Sequence, residues 1–333
     1  MGTRLRALSA GLLFCTALVS LAVPPVASGQ SAPSWKAPRT ADGQPDLQGV
    51  WLSKSATPLE RPKALEGRAL LTDAEVAQLQ ARANSLFKEG NSDFAAGDAV
   101  FLAALGTGDR FKSPTSTHNS EDMIEREFDR HTSLIVNPPD GRIPAPTADA
   151  GRRREAAAVA ARREQIEDFD NALRCIAYGV PRLGGRYGAG DYGYYQIVQT
   201  PGYVLLFMET GHEARIIPLN GRPHAADGMR FWSGDSRGRW EGETLVVETT
   251  NFSAKSNFMG SAAGLRLTER FTRVAPDVIR YEMTMSDPAT WAQPWTAEMP
   301  MKQSDQRLYE WACHEGNYHI MTGMLSAARS QER

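Results

Sequence analysis

The sequence predicts a mainly β fold: an antiparallel, up-and-down, barrel-like (lipocalin-like) core with an N-terminal extended arm and two helices. Three observations point there. From residue 194 onward, apolar residues recur in short alternating runs. Gly, Pro, Asn or Asp stand near most joints between those runs. No helical pattern separates them, which argues for antiparallel neighbours rather than crossovers. A closed or nearly closed barrel removes exposed strand edges and creates a mouth for ligands, whereas a two-sheet sandwich is the rival arrangement.

The chain has 333 residues, 41% hydrophobic, 23% charged and 8% aromatic, an ordinary globular composition. That excludes collagen-like, disordered and disulfide-dense mini-protein classes. Lys and Arg number 37 against 39 Asp and Glu, so no basic excess exists to track phosphates, and no nucleic-acid partner is expected.

Residues 1–29 read as a secretory signal: Arg4 and Arg6 precede an apolar run, and Ala27-Ser28-Gly29 offers small residues for cleavage. Pro24 and Pro25 end that run short of the ~20 apolar residues a span needs, and no membrane span is expected after cleavage. Phe14 before Cys15 does not suit lipid attachment. The mature chain then retains Cys175 and Cys313, an even pair in an oxidising compartment, which favours a disulfide. Such a bridge closes a long loop and stabilises by about 3–5 kcal/mol in the chain-entropy account. Two buried thiols are the alternative.

Residues 30–71 are rich in Pro, Gly and polar residues and read as an extended arm punctuated by Gly49-Val50-Trp51. Residues 72–193 read as a helical and loop region packed on the core. In it Thr72 and Glu75 form a capping box for a helix with Val76, Leu79 and Leu86 on one side, stopped by Gly90. Residues 91–117, with Gly97, Gly106, Gly108 and Pro114, read as loop with room for one helical turn. A β-branched run from His131 ends in the turn Pro138-Pro139-Asp140-Gly141. Thr147 caps a second helix over 148–166, whose arginines (Arg152, Arg153, Arg154, Arg162, Arg163) read as a solvated face.

Residues 194–333 read as the barrel-like core, with strands expected at 194–199, 203–209, 212–218, 243–250, 265–273, 278–287, 295–303 and 307–313. Parity places Leu265, Leu267, Glu269 and Phe271 on one face, aligns Tyr203, Leu205 and Phe207 with Glu209, and sets Glu310 between Leu308 and Ala312. A glutamate on an apolar face is costly unless paired or near water, which makes it a candidate for acid–base work. The structural alternative is pairing of Glu269 or Glu310 with Arg215, Arg266 or Arg270.

The Gly-punctuated segment 221–241 collects His224, Asp227, Trp232, Asp235, Arg239, Trp240 and Glu241. Aromatic platforms beside donors and acceptors suit a small ring-shaped polar ligand; a loop capping the barrel is the plain reading. Glu209, His212 and His224 offer a conceivable metal set without supporting ligand spacing, so no metal is expected. His314 and Glu315 follow Cys313, so a disulfide holds that cluster near Cys175. GxSxG, P-loop, HExxH and dinucleotide-type glycine signatures are missing, and no cofactor is expected.

The stretches ADGQPDLQGVW (41–51), TSLIVNPPDGRIP (132–144), YQIVQTPGYVLL (195–206), HEARIIPLNGRPH (212–224), GDSRGRWEGETLVVETTNF (234–252) and YEWACHEGNY (309–318) resemble a broad group of exported, largely uncharacterised proteins of soil and environmental bacteria. The resemblance covers nearly the whole mature chain, and its last three stretches are specific. It implies export and one integrated domain, and it brings no catalytic residues with it.

The expected function is that of a secreted or periplasmic enzyme acting on a small polar or aromatic compound by acid–base chemistry, of lyase, isomerase or hydrolase type. His212 or His224 serves as base, Glu209 or Glu269 as acid or orienting group, and Arg215 or Arg239 holds developing negative charge. Trp232, Asp235, Arg239, Trp240, His314 and Glu315 are the expected substrate contacts. The alternatives are a lipocalin-like binding protein without chemistry, and an envelope protein that captures a partner through residues 30–71.

Overall fold

Alternation of apolar and polar residues at a period of two lets each strand bury one face, and in this chain those faces turn towards one another. The computed structural model describes residues 35–86, 97–107, 126–160, 166–169, 171–181, 194–256 and 258–330. The expected signal at 1–29 lies outside them.

Strands β1 (Gly49–Leu52), β2 (Ile135–Asn137), β3 (Tyr194–Thr200), β4 (Tyr203–Met208), β5 (Glu213–Pro218), β6 (Asp235–Glu241), β7 (Thr244–Thr250), β8 (Arg266–Ala275), β9 (Val278–Ser286) and β10 (Trp295–Ser304) form one sheet. Its order is β5-β4-β3-β1-β10-β9-β8-β7-β6, all neighbours antiparallel, and it curls into a nearly closed barrel. Two hairpin meanders, β3–β5 and β6–β10, are thus joined through β1. Beyond β9, β10 pairs with β1 at Lys302–Ser304 and with β2 at Thr296–Ala297.

The end strands β5 and β6 meet at a seam. A Cβ on Gly238 would stand 2.8 Å from Ile217 Cγ2 and 2.7 Å from Leu219 Cδ2, so only glycine lets β6 approach β5 so closely. Inside, Trp51, Leu206, Val247, Phe271, Tyr281 and Trp295 are fully buried. Phe271 and Tyr281 stack with ring centroids 4.5 Å apart. Burial of each such side chain contributes about 1.5–3 kcal/mol.

Helix α1 (Asp73–Leu86) begins at the expected capping box: Glu75 Oε2 accepts from the Thr72 amide at 2.8 Å, and Thr72 Oγ1 from the Glu75 amide at 3.3 Å. Helix α3 (Ala148–Ala160) is capped by Thr147, whose Oγ1 accepts from the Ala150 amide. Arg153 and Arg154 of α3 donate to the carbonyls of Ala289 and Met259, tying the helix to the barrel loops.

Five expectations need correction. Residues 307–313 form no strand: residues 307–312 have no regular secondary structure and no partner in the sheet, and helix α4 (Cys313–Ser330) begins at Cys313, so a helix does follow position 194. Part of the expected 91–117 loop is helix α2 (Gly97–Leu105), whose Phe101 and Ala104 pack with Leu79 and Ala83 of α1. The arm's Gly49–Leu52 is a strand within the sheet, with Trp51 fully buried. Residues 235–241, expected in a loop, form β6. On β4 the inward face is Val204, Leu206 and Met208, so Tyr203, Leu205 and Phe207 point outward.

Candidate functional site

Inside the barrel, alternation along β8 turns Glu269 inward between Leu267 and Phe271, as its parity requires. Arg215 of β5 meets it: Nη1 donates to Oε1 at 3.0 Å and Nη2 to Oε2 at 2.5 Å. Nη2 also donates to Ser236 Oγ at 3.1 Å across the seam and to Thr249 Oγ1 at 3.0 Å. The Tyr281 hydroxyl donates to Glu269 Oε1 at 2.5 Å. Burial, and then the Glu269 charge, push the Tyr281 phenol well above its ordinary value, so it stays protonated as a donor. A carboxylate taken out of water is costly unless satisfied, and here three hydroxyl groups, of Ser236, Thr249 and Tyr281, surround one ion pair.

The other sequence candidates lie around the barrel rather than on this pair. Glu209 and His212 pin the C-terminal segment: Glu209 Oε1 accepts from the Tyr309 amide at 2.7 Å, and His212 Nε2 accepts from the Trp311 amide at 2.8 Å. Burial raises the Glu209 carboxyl above its usual range. The Cys175–Cys313 disulfide fastens residues 171–178 to the start of α4 beside them. Tyr178 packs edge-on against Trp311 and accepts its indole N–H at 2.8 Å. Gly211, at φ +76°, lies beneath the Tyr178 ring, where a Cβ would come within 2.4 Å of it. His314 and Glu315 are exposed on the first turn of α4.

His224 belongs to a second cluster. Its Nδ1 stands 3.0 Å from Asp235 Oδ2, which also accepts from the Ala225 amide at 2.9 Å. Burial alone would raise the Asp235 carboxyl, but the Ala225 amide, His224 and Arg237 outweigh it and hold it below the usual range. Asn251 Nδ2 donates to the carbonyls of Ala225, Ala226 and Met229 and holds this loop. The Trp232 carbonyl accepts from Ser256. Trp240 turns inward and packs on the core, while Arg239 turns outward into ion pairs with Glu241 and Glu248. No group of three His, Cys, Asp or Glu among the described residues is arranged to hold a metal ion.

One cluster that the sequence reading missed faces a cleft. The cleft, about 360 Å³, lies outside the barrel where residues 129–136 run past the outer faces of β9 and β10. Leu134, Val136, Val274, Val278 and Pro300 form its apolar walls, and His131, Arg130, Arg280 and Glu298 supply its polar groups. His131 Nδ1 stands 3.1 Å from Asp129 Oδ1, which also accepts from the His131 amide at 2.6 Å. This tight turn orients the ring and leaves Nε2 without a partner among the described residues.

Asp129, through that hydrogen bond, raises the His131 imidazole above its ordinary value of 6.5. Burial raises the Glu298 carboxyl, Arg280 opposes the shift, and Glu282, directly across the ladder, adds to it. An oriented imidazole and a carboxyl displaced towards neutrality, sharing one concavity, are the ingredients of proton transfer. The only sequence hint was local: Asp129 two residues before His131, at the head of the β-branched run. Glu298 sits far along the chain, and only strand pairing brings it here.

Comparison of the chain with protein-family models returns no match, and comparison with curated proteins returns none either. No helix among the described residues is long and apolar enough to cross a membrane.

Proposed function

We propose that the protein is an exported enzyme, secreted or periplasmic, that acts on a small polar or aromatic compound by acid–base chemistry in the His131–Glu298 cleft. The apolar run at the N-terminus with the small residues Ala27-Ser28-Gly29 after it, and the motif resemblance to exported bacterial proteins, support the location. One observation carries the chemistry: an imidazole oriented by a carboxylate and a second, partly desolvated carboxyl line the same ligand-sized hollow.

In this reading His131 Nε2 takes a proton from the bound compound, and Asp129 stabilises the imidazolium that forms. Glu298, whose burial favours its protonated form, returns a proton to the opposite side. Proton abstraction and return at neighbouring atoms covers isomerisation and elimination; activation of water by the same imidazole covers hydrolysis.

The apolar walls favour a second reading, a small-molecule-binding protein without chemistry. A thermal-shift screen of small aromatic and aliphatic compounds, followed by product analysis of those that bind, separates the two. Conversion that Glu298→Gln slows by about 10²-fold supports the enzyme. Binding with no conversion of any bound compound supports the carrier and overturns the enzyme.

A further inference from the structure

Resting on the reading of the cleft as the ligand site, we infer that its ligands are small organic anions: a carboxylate, or a group of like charge and geometry, attached to an apolar body. Two guanidinium groups carry this. Arg280, on the outer face of β9, makes one long contact through Nε, 3.6 Å to Glu282, and its Nη1 and Nη2 have no hydrogen-bond partner among the described residues. Arg130 uses Nε for the Leu71 carbonyl at 3.0 Å and for a long contact with Asp73 at 3.7 Å, and leaves both terminal nitrogens in the same condition. Both line the cleft.

A guanidinium with two parallel free N–H groups matches a carboxylate in two-pronged fashion, and such charge-assisted pairs are roughly twice as strong as neutral ones. Beside them Val136 and Val274 remain 42% and 43% exposed, apolar surface that a hydrocarbon or aromatic body covers. The acidic groups present do not cancel this preference. Asp129 is engaged with His131, Glu298 is the carboxyl whose burial disfavours its charge, and Asp73 and Glu282 reach Arg130 and Arg280 only through Nε, at 3.7 and 3.6 Å. A cationic ligand would instead meet two guanidinium groups and an imidazole already biased towards protonation.

The test is calorimetric titration of the full mature chain with three near-isosteric probes: phenylacetate, phenylacetamide and phenethylamine. The expected order is phenylacetate tighter than phenylacetamide by about tenfold or more, with phenethylamine weakest. Arg280→Gln, a half-exposed position, is expected to remove most of that margin while phenylacetamide binds as before; its unchanged thermal unfolding confirms the fold. Equal binding of the anion and the amide, or an anion preference that survives both Arg280→Gln and Arg130→Gln, overturns the inference and leaves the cleft as a neutral-ligand site. Binding of none of the three probes overturns both the inference and the site reading.

Discussion

Arg215 Nη1 lies 3.0 Å from Glu269 Oε1 in the barrel interior, so a strand at one edge of the sheet is held to the third strand from the other edge. No ladder joins β5 to β6; the same guanidinium bridges that seam through Ser236. Removing one partner of a buried pair leaves the other charge unsatisfied, which costs about 3–5 kcal/mol. Arg215→Ala is therefore expected to lower the unfolding free energy by that amount, read from the fall in the urea midpoint. Arg215→Met combined with Glu269→Met recovers most of the loss, measured as a double-mutant cycle.

The disulfide and its neighbours make a second closure. Cys175–Cys313 anchors α4 beside Tyr178, Trp311 and the His212 turn. Replacing both cysteines with serine is expected to cost about 2–5 kcal/mol in chemical denaturation. Trp311 fluorescence then shifts to the red at lower denaturant than the barrel tryptophans do. Simultaneous loss of both signals at an unchanged midpoint contradicts this.

Acid stability is set in part by Asp287. Burial alone would raise its carboxyl, but hydrogen bonds from Ser261 at 2.6 Å, Thr290 at 2.7 Å and the Ala289 amide at 3.0 Å hold it below its ordinary 3.8. A depressed folded-state value contributes stability above the unfolded value and loses it as pH falls through the folded one. Unfolding free energy is expected to drop below about pH 4. Asp287→Asn is expected to cost about 1–3 kcal/mol at neutral pH and to flatten the acid limb.

The cleft has a pH signature of its own. His131 faces Asp129, Arg130 and Glu298, and Glu298 also faces Arg280 and Glu282. Activity needs His131 neutral and Glu298 protonated, so kcat/KM follows a bell. Asp129→Asn removes the group that raises His131, returning it towards 6.5, and the limb owed to the imidazole moves to lower pH. Glu298→Gln abolishes the other limb. A profile unmoved by Asp129→Asn contradicts the pairing.

The inward face of β8 and the joints marked by Gly, Pro, Asn or Asp, with Pro201-Gly202 and Thr210-Gly211 at two of them between β3, β4 and β5, were legible because alternation and turn chemistry are local. So was the pairing of Arg215 with Glu269, as the structural alternative for a buried carboxylate. Strand β6 was illegible because its inward positions are Ser236, Gly238 and Trp240: two are small to meet Arg215 and the β5 side chains, which erases the apolar alternation. Residues 307–313 alternate like a strand yet find no edge to join, and the disulfide ties their last residue, Cys313, to Cys175. Glu298 and His131 meet only through the pairing of β10 with the segment before β2, where the Glu298 amide donates to the Leu134 carbonyl at 2.8 Å. No spacing within the sequence carries that relationship.

The most direct measurement is kcat/KM of His131→Ala against the unaltered protein, on a compound that the binding screen shows to be converted, with matching thermal unfolding of the two. A fall of about 10²-fold or more is the predicted result, since the oriented imidazole is the group that moves the proton. Turnover undiminished in the folded variant would place the chemistry elsewhere.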